Sequence, residues 1–224
     1  SDLMECWNAD GSRGEACGNG LRVITRILCQ KEPISTIETD AGTVAVEPLQ
    51  STEGGFLART VLGPVRHSAA IQVTVADRTL LGIPANVGNP HLVFSIRDFP
   101  GEDPVRQFGP GLEVSLPSRV NVGFYDIVSR KKLKLRVWER GCGETLACGT
   151  GAAAAVRVLQ ARGQLADQVE VEMPGGILTL KSLVDSPDQV EICGPARVNY
   201  RGSLWFDTHQ FSLVDFEEQT QETI

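Results

Sequence analysis

The chain is poor in the residues that metal and nucleic-acid chemistry require. It has three histidines, and its six cysteines, at 6, 17, 29, 142, 148 and 193, include no Cys-x-x-Cys pair. The ligand spacings of a structural zinc site are therefore absent. A disulfide framework is equally disfavoured for a reduced cytosolic chain of 224 residues. Cations are outnumbered, 21 Lys and Arg against 28 Asp and Glu for a net charge of −7, which argues against a nucleic-acid surface. An anionic small molecule is not excluded, because helix amides can bind a carboxylate locally. No apolar run reaches membrane-spanning length and no signal-peptide pattern opens the sequence. A cytoplasmic protein that binds neither membrane nor nucleic acid is expected; oligomeric state is not legible, and a homodimer is compatible with the sequence.

What is present is a repeated motif. Trp138 to Ala155 places Cys148 directly before Gly149-Thr150-Gly151 and a run of four alanines. Alanine is the best helix former, and the run continues to Gly163, a suitable C′ stop. Cys148 thus falls at a helix N-terminus, where unpaired N–H groups and the helix dipole favour a thiolate or a bound carboxylate. A shift of 131 residues lays Trp138 on Trp7, Ala147-Cys148-Gly149 on Ala16-Cys17-Gly18, and Gly151 on Gly20. Each copy carries a polar residue nine positions before its cysteine, Asn8 and Glu139. After a three-residue slip, the alternating stretch from Ile37 to Val46 parallels Val171 to Leu180. Gly63-Pro64 then falls on Gly194-Pro195 at the original shift.

A long-period repeat predicts two similar domains related by a pseudo-twofold. Their boundaries are placed at 1–63 with 195–224, and at 64–194. Facing helix N-termini would bring Cys17 and Cys148 to one cleft. Two thiols on opposite sides of a substrate suit removal of a proton from one face of a carbon and its return to the other. Alternation and turn signals predict a helix over 21–30, strands over 36–47, 55–62, 70–75, 91–96 and 133–138, and a hairpin-like pair at 169–176 and 177–183, after which 198–206 returns to the first domain. The Gly, Pro and Asn cluster at 82–91 and the segment 100–111 read as loops. Glu144 reads as structural and Cys29 as packing.

Six motifs in order carry a family resemblance: Asn8-Ala-Asp-Gly-Ser, Cys17-Gly-Asn-Gly, Gly88-Asn-Pro-His, Asn121-Val-Gly-Phe, Glu139-Arg-Gly, and Gly143-Glu-Thr-Leu-Ala-Cys-Gly-Thr-Gly. Together they resemble the diaminopimelate epimerases over residues 8 to about 196. The resemblance implies an α+β fold of two pseudo-symmetric domains, each a mixed or antiparallel sheet wrapped around a central helix. It implies interconversion of LL- and meso-diaminopimelate, in lysine and peptidoglycan precursor biosynthesis, without pyridoxal phosphate or metal. Cys17 and Cys148 resemble the catalytic pair. Asn8, Gly18, Asn19, Asn89, Asn121, Glu139, Arg140, Gly149 and Thr150 resemble substrate-binding positions, with Gly18 and Asn19 acting through their amides, and His91 resembles a supporting histidine. The rivals are a cofactor-independent proline or hydroxyproline racemase and an inactive fragment of the epimerase. The fragment reading rests on the repeat: 72 residues (66–137) precede the second Trp motif, whereas six precede Trp7. A complete first unit would need roughly 66 more residues ahead of Ser1, and the family has a leading segment with its own asparagine motif. Alternatively, 66–137 is an insertion.

Overall fold

The computed structural model describes residues 3–7, 11, 13–14, 17–50, 55–101, 103–198, 201–207 and 212–219. Three α-helices are present among them: α1 (Gly18–Leu28), α2 (Pro104–Glu113) and α3 (Gly149–Ala161). One mixed sheet of 14 strands accompanies them. Its order begins Leu3–Met4, Thr36–Thr39, Gly42–Gln50, Phe56–Leu62, then crosses to Val190–Pro195, Gly176–Ser182, Gln168–Met173 and Lys132–Glu139. It ends with Asn121–Ser129, Pro90–Ser95, Arg78–Asn86 and Arg66–His67. Arg201–Asp207 and Ser212–Gln219 pair with each other as a hairpin.

The repeat read from sequence is present in the strand registers. At the crossing, Leu62 pairs with Val190, and their repeat mates Cys193 and Arg59 also pair with each other. That is the pattern a twofold axis through an antiparallel pair must produce. Leu3 pairs with Glu38 in parallel, as Lys134 pairs with Glu172. Cys6 and Trp7 pair with Gly14 and Arg13, as Val137 and Trp138 pair with Thr145 and Glu144.

The alanine run is explained by what surrounds α3. Strands from both flanks contact the helix, and Ala152, Ala153, Ala154, Ala155, Val156 and Leu159 are all fully buried. A helix apolar on every side is a core helix, and small side chains let the sheet close around it. Burial of each larger residue such as Leu159 contributes about 1.5–3 kcal/mol. By contrast α1 packs mainly on Gly42–Gln50 and Phe56–Leu62. Its Val23 and Ile27 are 48% and 52% exposed, whereas their repeat mates Ala154 and Val158 are buried. The strands covering that flank of α3, between residues 78 and 129, have no repeat mate among the described residues.

Two expected loops are regular structure. Residues 104–113 form α2 although Gly109, Pro110 and Gly111 signal a break. Tertiary packing overrides those signals: Pro104 sits in the first turn, where it is tolerated, and Val105, Phe108 and Leu112 enter an aromatic core with Phe94, Phe99 and Phe124. The 82–91 cluster is strand as far as Asn86, with Pro84 opposite Leu92. The chain turns only at Val87 to Asn89, where the Val87 N–H donates to the Asn89 carbonyl. Glu144, read as structural, bonds Arg136 and Arg106 at 2.6 and 3.0 Å. No described helix is long and apolar enough to cross a membrane.

Candidate active site

Both helices of the repeat begin on a cysteine. Cys17 caps α1 with φ −135° and ψ 99°, and its Sγ accepts the Gly20 N–H at 3.2 Å. Cys148 caps α3 with φ −134° and ψ 111°, and its Sγ accepts the Gly151 N–H at 3.4 Å. Each sulfur occupies the place of an N-cap oxygen and takes one of the orphan donors of the first turn. The positive end of each helix dipole points at its sulfur.

The two N-termini meet. A Cβ added to Gly18 would lie 3.3 Å from the Gly149 Cα, and one added to Gly149 would lie 3.2 Å from the Gly18 Cα. Only glycine at both positions permits that approach without displacement. Asn19 ties the seam, its Nδ2 donating to the Ala147 carbonyl at 2.8 Å. Thus Cys17, Gly18, Asn19, Cys148, Gly149 and Thr150, far apart in sequence, share one junction.

The two thiols have different surroundings. Cys148 is 4% exposed and donates to Glu139 Oε2 at 3.2 Å. Burial first, and then the Glu139 charge, push its pKa well above the usual thiol range. The other Glu139 oxygen accepts the Thr145 hydroxyl. Cys17 is half-buried. Beside it lies Cys6, whose thiol is pushed up to about 11 by burial, with a contribution from Cys17 itself.

A hydrogen-bonded chain extends from Cys148 to the turn at Asn89 and to His91. Thr150 Oγ1 lies 3.5 Å from Cys148 Sγ and accepts from Asn89 Nδ2 at 3.4 Å. His91 Nε2 lies 2.9 Å from Asn89 Oδ1, an acceptor, so the ring donates through Nε2. Asn121 is bound on both sides, its Nδ2 to the Pro90 carbonyl at 3.1 Å and its Oδ1 from the Arg140 N–H at 3.0 Å. It therefore fixes the backbone that carries Arg140. Asn8 lies outside the described residues.

One contributor escaped the sequence reading. Glu113, buried at the end of α2, accepts from Trp138 Nε1 at 2.8 Å and from the Gly141 N–H at 3.0 Å, and pairs with Arg119. It holds the turn after Glu139-Arg140. The available signal was an acid in register with the apolar face of Val105, Phe108 and Leu112, which goes unnoticed once the segment is read as loop. Among the described residues no three His, Cys, Asp or Glu side chains gather as a metal site requires.

His91 gives the fold an acid sensitivity. Full burial, then the nearby Arg140 charge, lower its pKa from 6.5 to about 3. The folded state therefore holds the ring neutral, while the unfolded chain takes up a proton below pH 6.5. This contribution is fully present above pH 6.5 and falls by up to about 1.4 kcal/mol per pH unit as pH drops toward 3. The expected result is that His91→Leu destabilises the protein at pH 7.5 but by a smaller margin at pH 5. Denaturant melts of both proteins at the two pH values would show it, and an unchanged margin would refute it.

The family described as diaminopimelate epimerase matches residues 84–198 of this chain. The diaminopimelate epimerase of Erythrobacter litoralis is 38% identical over 218 residues, 91% of this chain and 77% of that protein. That of Halorhodospira halophila is 37% identical over 88% of this chain and 73% of its own length. Among solved structures, a hydroxyproline epimerase from Agrobacterium vitis with bound trans-4-hydroxy-L-proline has a TM-score of 0.67 at 17% identity, over 86% of this chain and 67% of that one. A PhzF-family phenazine biosynthesis protein from Bacillus anthracis has a TM-score of 0.60 at 14% identity, over 98% and 80%. At such identities the structural likeness is one of fold. The two cysteine-capped helices thus belong to a fold shared by several enzymes, and at the level of sequence the chain belongs to the diaminopimelate epimerase family.

Proposed function

We propose that this chain interconverts LL- and meso-diaminopimelate, with Cys17 and Cys148 as the two proton-transfer groups. The observation that carries the reading is the meeting of two cysteine-capped helix N-termini at Gly18 and Gly149. One sulfur, as thiolate, takes the α-proton from one face. The other, as thiol, gives its proton to the opposite face of the resulting carbanion. The proton count balances, and the protonation states of the pair exchange at each turnover. Burial and Glu139 favour the protonated form of Cys148, which suits it to the acid role. The substrate carboxylate would rest on first-turn amides and on Arg140, which offset the charge that grows during proton removal. A buried Cys148 keeps that step out of water.

The remaining parts of the proposal are a cytoplasmic setting, supply of meso-diaminopimelate to lysine and peptidoglycan precursors, division of the chain into 1–63 with 195–224 and 64–194, and a homodimer. Proline or hydroxyproline as substrate is supported by fold likeness alone. The test is α-proton exchange followed by NMR in D₂O with a thiol reductant, offering LL-diaminopimelate beside L-proline. Deuterium entering diaminopimelate only is the expected result. Exchange into proline, or into neither, overturns the assignment.

A further inference from the structure

The site is pseudo-symmetric in backbone but not in side chains, and one asymmetry is a buried cation. Arg22, on the second turn of α1, is 5% exposed. Its Nη1 donates to the Gly18 carbonyl at 3.1 Å and its Nη2 to Asn19 Oδ1 at 2.6 Å. Its Nε is buried without a partner. The repeat mate of Arg22 is Ala153, and that of Asn19 is Thr150, whose hydroxyl faces Asn89 and Cys148. The second unit therefore has no equivalent of this arrangement.

Burying a guanidinium in part unsatisfied costs several kcal/mol, so it needs a compensating use. The bonds suggest one. Arg22 holds the amide of Asn19 by its oxygen, which fixes the other end, Nδ2, on the Ala147 carbonyl across the seam. Ala147 immediately precedes Cys148. The chain Arg22 to Asn19 to Ala147 thus links the helix that carries one thiol to the residue before the other.

Resting on the two-thiol reading above, we propose that Arg22 is a positioning residue: through Asn19 it fixes the separation and facing of Cys17 and Cys148. The substrate carbon must lie between two sulfurs, and a misplacement of about 1 Å at such a site can cost roughly 100-fold in rate. The Asn19 side chain then works across the seam, while its backbone N–H stays available to a substrate carboxylate.

Two variants separate the parts of the clamp. Asn19→Asp keeps the Arg22 bond but loses the donor to Ala147 and sets a carboxylate oxygen against that carbonyl. Arg22→Met removes the cation and keeps an apolar stem, and Arg22→Lys restores a donor for Gly18 and Asn19. Turnover is measured with KM, and labelling of Cys148 by N-ethylmaleimide is followed by peptide mass spectrometry. In Asn19→Asp and Arg22→Met, kcat is expected to fall by about 100-fold with KM little changed, and Cys148 to label severalfold faster as the seam loosens. Arg22→Lys is expected to recover part of the kcat. Wild-type kcat in Asn19→Asp, or a fallen kcat with unchanged Cys148 labelling, overturns the clamp. If Arg22→Met does not fold, Asn19→Asp decides alone. If the wild-type protein leaves diaminopimelate untouched, the epimerase reading fails and the labelling still tests the clamp.

Discussion

Serine at position 17 or at position 148 is expected to lower diaminopimelate turnover by on the order of 10²- to 10⁴-fold, with the fold intact. The range is what a positioned proton-transfer group contributes. Serine isolates that contribution because it is itself a preferred N-cap: its oxygen can accept the Gly20 or Gly151 N–H that the sulfur now takes. At 148 it can also donate to Glu139, as the thiol does. What is lost is acidity, since a hydroxyl yields its proton far less readily than a thiol. The loss affects both directions of the reaction, because each sulfur is base in one and acid in the other. Turnover assayed both ways, beside a thermal melt, reads the outcome. Near-normal turnover in either variant, with wild-type melting, would remove the two-thiol mechanism.

The features that place this site were legible because they are periodic. The Trp-to-Cys spacing repeats at 131 residues, and the same shift relates Leu62 and Val190 to their paired mates at the sheet crossing. Local chemistry also survived translation into structure: an alanine run preceded by Cys-Gly-Thr-Gly became a helix capped by Cys148. The failures share one physical cause. At 104–111 and at 82–86, packing against Phe94, Phe99, Phe124 and Leu92 imposes regular structure on segments whose Gly and Pro content opposes it. Propensity is local, whereas that packing is not. Glu113 was missed with its helix. The use of the Asn19 amide could not be read from sequence either, because its partners, Arg22 and the Ala147 carbonyl, are joined only when the two halves meet.

The asymmetry of charge about the two sulfurs leads to a second large effect, at Glu139. Its carboxylate accepts the Cys148 thiol proton at 3.2 Å and raises the cost of a charge on that sulfur. Glutamine has the same shape, can still accept from Thr145, and carries no charge. Replacing Glu139 by glutamine therefore removes one of the two causes that hold the Cys148 proton, leaving burial as the other. The Cys148 pKa should fall yet stay above the ordinary thiol value, and at a fixed alkaline pH iodoacetamide should label Cys148 faster than in the wild type. Turnover should move the opposite way, down by on the order of 10²-fold, because a glutamine whose oxygen stays on Thr145 turns its amide nitrogen toward Cys148, and the thiol loses the acceptor that orients its proton. A general loosening of the site would also speed labelling and slow turnover, but it would lower the melting temperature, which Glu139→Gln should leave near the wild-type value. Slower labelling, or unchanged turnover, would show that Glu139 does not hold the acid of the pair. Faster labelling at an unchanged melting temperature is the decisive reading, since loss of a neighbouring negative charge favours the thiolate.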